Sequence, residues 1–450
     1  MGKLSGTRAR THHKVSAVVM LLALVGLGLA NAVALYVIEE FGNVFVPFLY
    51  NDVLEVGTHP AIMFLTLIVF GLLYFLTMRL VKFDRQTPPT YDLLSNTFDA
   101  SSALKAISVT LAVGLTSLLA GAALGPEAML MGIAASLGAF VADKWTSLPD
   151  GRVWLIAASL GGLLAPFGGS LVFMAVPIAV LIGITVKRPH GKRAQFLTGG
   201  ILCSIVTTVC AFQFHSAIEE LFQDASHTPL SVHAMDLASL FGQIKGGDYV
   251  VAVIVGVIAV GLVQIQQLVI TASHWLSRIV IGRNSSFARG ALFAVLAASV
   301  IAAVYWFAGP TVMFSGRDGT GELAQIASTT SVWTIMGLLF AKLLVSAWSK
   351  GTGYYGGLIF PAIYAGVALG IITSHMTGGQ FMAGATIGAL TGMAGAAIDN
   401  TRIKGPLMGA FFVIGVLPFG QLTALALCGT IGSLLGQVVK KMVTPRPVKP

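Results

Sequence analysis

Glu127 is the single acidic residue between positions 103 and 142, and it directly follows Gly125-Pro126. A glycine-proline pair interrupts a helix, so the chain is expected to restart as a helix at Ala128 with its first amides turned back toward the carboxylate. Those amides lack intrahelical partners, and the aligned peptide dipoles add about half a positive charge at that end. Such an end holds an anion without a full cationic side chain. An ionised Glu127 is itself an anion and competes for the place a small halide would take, whereas the protonated acid has less reason to stay. The same residues also allow a plainer account, in which an acid in the first turn stabilises its own helix.

Other chemistry-bearing side chains form no comparable pattern. His215, His274, Asp399 and Ser170 are spaced neither as metal ligands nor as a nucleophile with its base, so the expectation is a protein that is not an enzyme and needs no metal or cofactor. The histidines read as residues near membrane boundaries. Cys203, Cys210 and Cys428 all lie in apolar segments and read as small core or lipid-facing thiols. Asp399, Arg402 and Lys404 read as an interfacial loop with an ion pair that needs no function.

The elements that must position Glu127 are membrane helices. Apolar residues make up 56% of the chain and charged residues only 10%, with a mean hydropathy of +0.85, too little charge to cover a soluble surface of this size. Apolar runs near the spanning length of about 20 residues occupy 15–37, 61–78, 103–123, 153–186, 196–214, 249–270, 291–307 and 332–348. After Tyr354 the sequence is almost continuously apolar but cut by Gly and Pro. That pattern predicts short broken helices covered by other protein, because lipid does not tolerate exposed interrupted backbone.

The formal charge of +9 is scattered over short loops, which argues against a nucleic-acid partner. Basic stretches at 3–14, 79–85, 187–193, 278–289 and 440–449 mark the cytoplasm, while the acid-rich 39–55 and 219–236 read as external, so both termini are expected to be cytoplasmic. The basic start followed by an apolar run is also the pattern of a secretory signal. The run is longer than a signal core of about 7–15 residues, and it reads as a retained helix.

Two pairs of motifs recur in the same order. The first half carries Gly125-Pro126-Glu127 and then Ala165-Pro166-Phe167-Gly168; the second carries Gly356-Gly357-Leu358-Ile359-Phe360-Pro361 and then Gly405-Pro406-Leu407. Each member reads as a breaker followed by an apolar helix, the layout of a transporter built from two repeats whose discontinuous helices meet near the bilayer midplane.

In that order, the motifs resemble those of the CLC family of chloride channels and chloride/proton antiporters. Gly125-Pro126-Glu127 is similar to the family's glutamate motif, and Gly356 to Pro361 to its Gly-x-Phe-x-Pro motif. Ala165-Pro166 is similar to its Asn-Ala-Pro segment, Ser315-Gly316-Arg317-Asp318-Gly319 to a Gly-rich external loop, and residues 402–415 to its Arg-x-Pro-Leu-x-Gly helix. Lys342 fits a basic residue in the helix before Lys350-Gly351.

The resemblance implies an all-α polytopic membrane protein of CLC type, with two inverted repeats of broken transmembrane helices spanning about 60–235 and 248–441. Together with the first helix these form one transmembrane domain over 16–441, between a basic segment at 1–15 and a short tail at 442–450. It further implies a homodimer in a bacterial inner membrane, in contact with lipid, each subunit passing chloride or a similar small anion. By the same resemblance Glu127 is the gate. The anion site would draw on Gly125, Ala128, Phe360 and the N–H groups of Leu358 and Ile359, with Thr87 supplying a hydroxyl from the turn at 86–90.

This chain also departs from the family pattern. Pro126 stands where Arg or Lys is frequent, Ala128-Met129 replace Gly-Pro, and the phenyl ring of Phe360 comes one place late. The internal acid of the exchangers would fall near Val176, with Ala175 before it, and no acid is there; nor does any tyrosine occur in 421–450. These departures favour a passive channel over a proton-coupled antiporter. An organic-anion secondary transporter is a further alternative with the same repeat logic, but it would need a larger and more polar cavity.

Overall fold

The computed structural model describes residues 17–81, 100–145, 150–168, 193–222, 243–281, 286–327, 329–398, 404–416 and 421–443. Fourteen α-helices account for most of them. The first half contains α1 (Ala17–Glu40), α2 (Pro60–Leu80), α3 (Ala100–Leu119), α4 (Glu127–Trp145), α5 (Gly151–Gly168) and α6 (Arg193–Phe222). The second contains α7 (Gly246–Ile281), α8 (Phe287–Ala308), α9 (Arg317–Ile326), α10 (Val332–Thr352), α11 (Ile359–Met376), α12 (Met382–Ile398), α13 (Lys404–Val416) and α14 (Gln421–Val443). Among the described residues, eight helices are long and apolar enough to cross a bilayer. The all-α, polytopic architecture expected from the sequence is what the chain adopts.

Several boundaries differ from expectation. The first span does not stop near residue 37; α1 runs into two π-helical turns, Phe41–Phe45 and Phe48–Val53, and the acid-rich stretch is largely helical. Ala165-Pro166 does not break its helix but lies in the last turn of α5, Pro166 being a helix-internal residue. The run expected at 153–186 therefore has its described helix end at Gly168, and Val176 and Ser170 lie outside the described residues. Of the expected Gly-rich loop, only Ser315 and Gly316 remain irregular, since α9 starts at Arg317. Gly316 has the left-handed φ of 81° that lets the chain turn into this helix, and a Cβ there would strike Lys342.

Helices in lipid gain little from burying apolar surface against each other, so they associate through close packing of small residues. Several glycines serve this end. A Cβ at Gly384 or Gly388 of α12 would meet the backbone of Asp248 or Ala252 in α7, and one at Gly432 of α14 would meet Val253 of α7. In the first half, a Cβ at Gly138 of α4 would meet the backbone of Leu155 and Ile156 in α5. The result is a protein-enclosed centre containing α11 and α12. Every residue from Phe360 to Ile372 is buried, which is why short, broken helices are tolerated there.

Two lone polar side chains order this interior. Lys342 is wholly buried, and its ammonium donates to the carbonyls of Val312 at 3.0 Å and Phe314 at 2.7 Å, closing the loop before α9. Asp248 at the start of α7 accepts from Gly384 N–H at 2.8 Å and so caps the first turn of α12.

Candidate functional site

Each half of the chain has a short extended break, and the two breaks lie against each other. The segment at 120–126 separates α3 from α4, and the segment at 353–358 separates α10 from α11. Gly353, at φ 96°, supplies the left-handed residue that ends α10. Where the breaks meet, Gly125 N–H donates to Gly357 C=O at 2.9 Å and Gly357 N–H donates to Gly125 C=O at 2.8 Å, an antiparallel bridge. Both positions need glycine. A Cβ at either would fall on the carboxylate of Glu127, and one at Gly356 would press on Leu124 and on the Gly125 carbonyl.

Three further hydrogen bonds hold the breaks together. Ser349 Oγ accepts from Ala123 N–H at 3.2 Å, Ser117 Oγ accepts from Tyr355 N–H at 3.1 Å, and Tyr355 OH donates to the carbonyl of Ala128 at 3.0 Å. Backbone groups released by the breaks thus find partners in the opposite half, as buried amides must.

Glu127 is the first residue of α4, and its carboxylate interacts with its own backbone amide and also reaches across to the other half of the chain. Oε1 accepts from Phe360 N–H at 2.9 Å, in the first turn of α11. The N-cap of α11, Leu358, makes no side-chain cap hydrogen bond of its own. The place is filled from the other half of the chain by a carboxyl oxygen set on the positive end of the helix dipole. Glu127 is 2% exposed, and Oε2, beside Gly357, is buried with no hydrogen-bond partner.

Positive charge approaches from α10. Lys350 donates to the carbonyl of Gly356 at 2.9 Å and interacts electrostatically with Glu127. Apolar cover comes from Phe167, whose ring meets that of Phe360 edge-on at 5.6 Å between centroids. A cavity of about 60 Å³ borders the site, lined among others by Asn43, Pro126, Ser315, Arg317 and Phe360.

Of the residues singled out in the sequence, Gly125, Glu127, Ala128, Leu358, Ile359 and Phe360 come together here, and Thr87 lies outside the described residues. The N–H that holds the carboxylate is that of Phe360, one and two positions after the amides of Ile359 and Leu358. Sequence reasoning missed Lys350, Tyr355, Ser117 and Ser349 as site residues. Lys350 was the most legible of them, a cation in an apolar run six residues before Gly356.

Comparison with known proteins bears on the family and the fold. The family described as voltage gated chloride channel matches residues 70–437. A protein provisionally named ion-transport protein YfeO from Escherichia fergusonii is 24% identical over 370 residues, 80% of this chain and 80% of that protein. Its counterpart in Escherichia coli O1:K1 is 24% identical over 276 residues, and the match spans 58% of that protein's length.

Among solved structures, a slow cyanobacterial Cl⁻/H⁺ antiporter aligns over 94% of this chain and 93% of its own, with a TM-score of 0.69 and 15% identity. A CLC-type fluoride/proton antiporter aligns over 94% and 96%, with a TM-score of 0.64 and 14% identity. At these identities the structures speak for the fold. The match of the family model over residues 70–437, most of the chain, places this protein in the voltage gated chloride channel (CLC) family.

Proposed function

We propose that this protein carries chloride or a similar small inorganic anion across a bacterial inner membrane, with Glu127 as the gate. The observation that carries the reading is the hydrogen bond from Phe360 N–H to the Glu127 carboxylate. The start of α11 is a ready anion site, and an anionic side chain sits on it. An incoming halide must displace that carboxylate, or wait until a proton makes it a poorer competitor. Gly125, Ala128, Leu358 and Ile359 frame the site, with Lys350 adding charge that Pro126 does not supply. A neighbouring cavity of about 60 Å³ suits water or a halide and is small for an organic acid. That size speaks against the organic-anion alternative.

The finer reading is a passive channel, one pore per subunit of a homodimer, with repeat halves at about 60–235 and 248–441 and both termini cytoplasmic. It rests on the missing acid at Val176 and the absence of tyrosine from 421–450. A proton-coupled antiporter is the second reading, favoured by the folds of the two antiporters aligned above.

Reconstitution into liposomes with a chloride gradient separates them. A channel gives a reversal potential that follows chloride alone at two pH values. Movement of protons against their gradient in fixed ratio to chloride would establish the antiporter instead.

A further inference from the structure

We propose that Glu39, His215 and Glu219 form a binding site for a divalent transition-metal ion of the zinc type, clipping the end of α1 to α6. These residues are distinct from those of the anion site, and the inference does not rest on the transport reading.

Helix packing brings the three together. Gly28 of α1 lies so close to α6 that a Cβ there would strike Cys210 and the backbone of Thr207 and Ala211. Glu39 follows Gly28 by eleven residues, close to three turns at 3.6 residues each, so it faces α6 as well. On α6, His215 stands one turn beyond Ala211, and Glu219 one turn beyond His215, on the same face. The outcome is Nε2 of His215 at 2.8 Å from Oε2 of Glu39 and Nδ1 at 3.6 Å from Oε2 of Glu219. One ligand atom from each residue lies within 4.8 Å of the others. A tetrahedral zinc ion with bonds near 2.0–2.2 Å sets its ligand atoms about 3.4 Å apart. Glu219, with 27% of its side chain exposed, has the freedom to close that gap and leaves a route inward.

Two observations point beyond a hydrogen-bonded triad. Glu39 is 6% exposed, and its second oxygen, Oε1, is buried without a partner, a costly state for a carboxylate. Moreover, among the described residues neither carboxylate forms a salt bridge with lysine or arginine. The cluster thus sets two carboxyl groups against one imidazole within helices that cross a membrane, more acceptor oxygens than the ring can serve, and a divalent cation would satisfy them. One imidazole with two carboxylates is a donor set for zinc; magnesium and calcium prefer oxygen throughout.

The test is metal binding by the full chain in detergent, after chelator treatment, using Zn²⁺ as the probe and Mg²⁺ as the contrast. Expected is one Zn²⁺ per chain, with no comparable Mg²⁺ binding. Glu39→Gln, which keeps a hydrogen-bond acceptor for His215 but loses the charged ligand, should weaken Zn²⁺ at least about tenfold, and His215→Ala should abolish binding. Should Glu39→Gln fail to fold, Glu219→Gln at the more exposed position serves in its place with the same expected loss. Absorption spectra of the Co²⁺-loaded protein should show tetrahedral ligand-field bands that these variants lack. No saturable Zn²⁺ binding by the wild type, or equal binding by folded Glu39→Gln and Glu219→Gln, would overturn the proposal.

Discussion

Gly125 and Gly357, 232 positions apart in the chain, exchange both of their backbone hydrogen bonds, at 2.9 and 2.8 Å. This contact joins the two halves at the point where each has interrupted its helices. It also fixes the distance between the start of α4, which bears Glu127, and the start of α11, which receives it.

The bridge tolerates no side chain. Gly357→Ala would set a methyl group on the Glu127 carboxylate. The expected outcome is a loss of roughly 1–3 kcal/mol from overpacking, read as a lower unfolding temperature in detergent, together with a weaker pH dependence of anion flux. A variant with wild-type stability and flux would show that the break has room the structure does not display.

Glu127→Ala removes the resident anion. A charge-assisted hydrogen bond contributes about 1.5–3 kcal/mol, so flux at neutral pH should rise by roughly 10- to 100-fold if displacing this bond limits passage. The sign with pH follows. Protonation removes the charge that competes for Phe360 N–H, so wild-type flux should increase as pH falls, while the alanine variant stays flat. Flux assays in liposomes across pH 5–8 decide the matter, and a pH response retained in the variant would assign it to another group.

Lys350 offers its charge beside the same site. In a Glu127→Ala background, Lys350→Met should weaken chloride binding by about tenfold, the effect of losing one unit charge near a partly screened ion. Titration calorimetry in detergent measures this directly. Unchanged affinity would limit Lys350 to holding the Gly356 carbonyl.

Lys342 should matter for stability and not for the anion. Lys342→Met leaves the carbonyls of Val312 and Phe314 without their donor, and each such buried group costs about 1–3 kcal/mol. A clear drop in thermal stability is expected, with chloride affinity preserved in the folded fraction.

The homodimer is checked by mass. Light scattering of the detergent-purified protein, corrected for bound detergent, should give two chains of 46.9 kDa each. A monomer that retains transport after reconstitution would remove the dimer from the proposal.

Much of this was written in the sequence. Low charge and long apolar runs require membrane helices, because exposed backbone has no partner in lipid. Gly125-Pro126 and Gly356-Gly357 mark the breaks locally, since glycine and proline act on their own backbone. Glu127 stands out as a lone acid in an apolar stretch. What remained hidden are relationships between distant segments. Nothing local to Glu127 says that its carboxylate would also cap α11, nor that Ser117 and Ser349 would each receive an amide from the opposite break. Nothing local to His215 says that Glu39, 176 positions earlier, would reach it. Ala165-Pro166 even read as a break, whereas Pro166 lies inside α5. Local residue chemistry determined which stretches become membrane helices and where the two glycine breaks fall; tertiary packing alone decided which freed amide meets which acceptor, because those partners become neighbours only when the two halves close on each other.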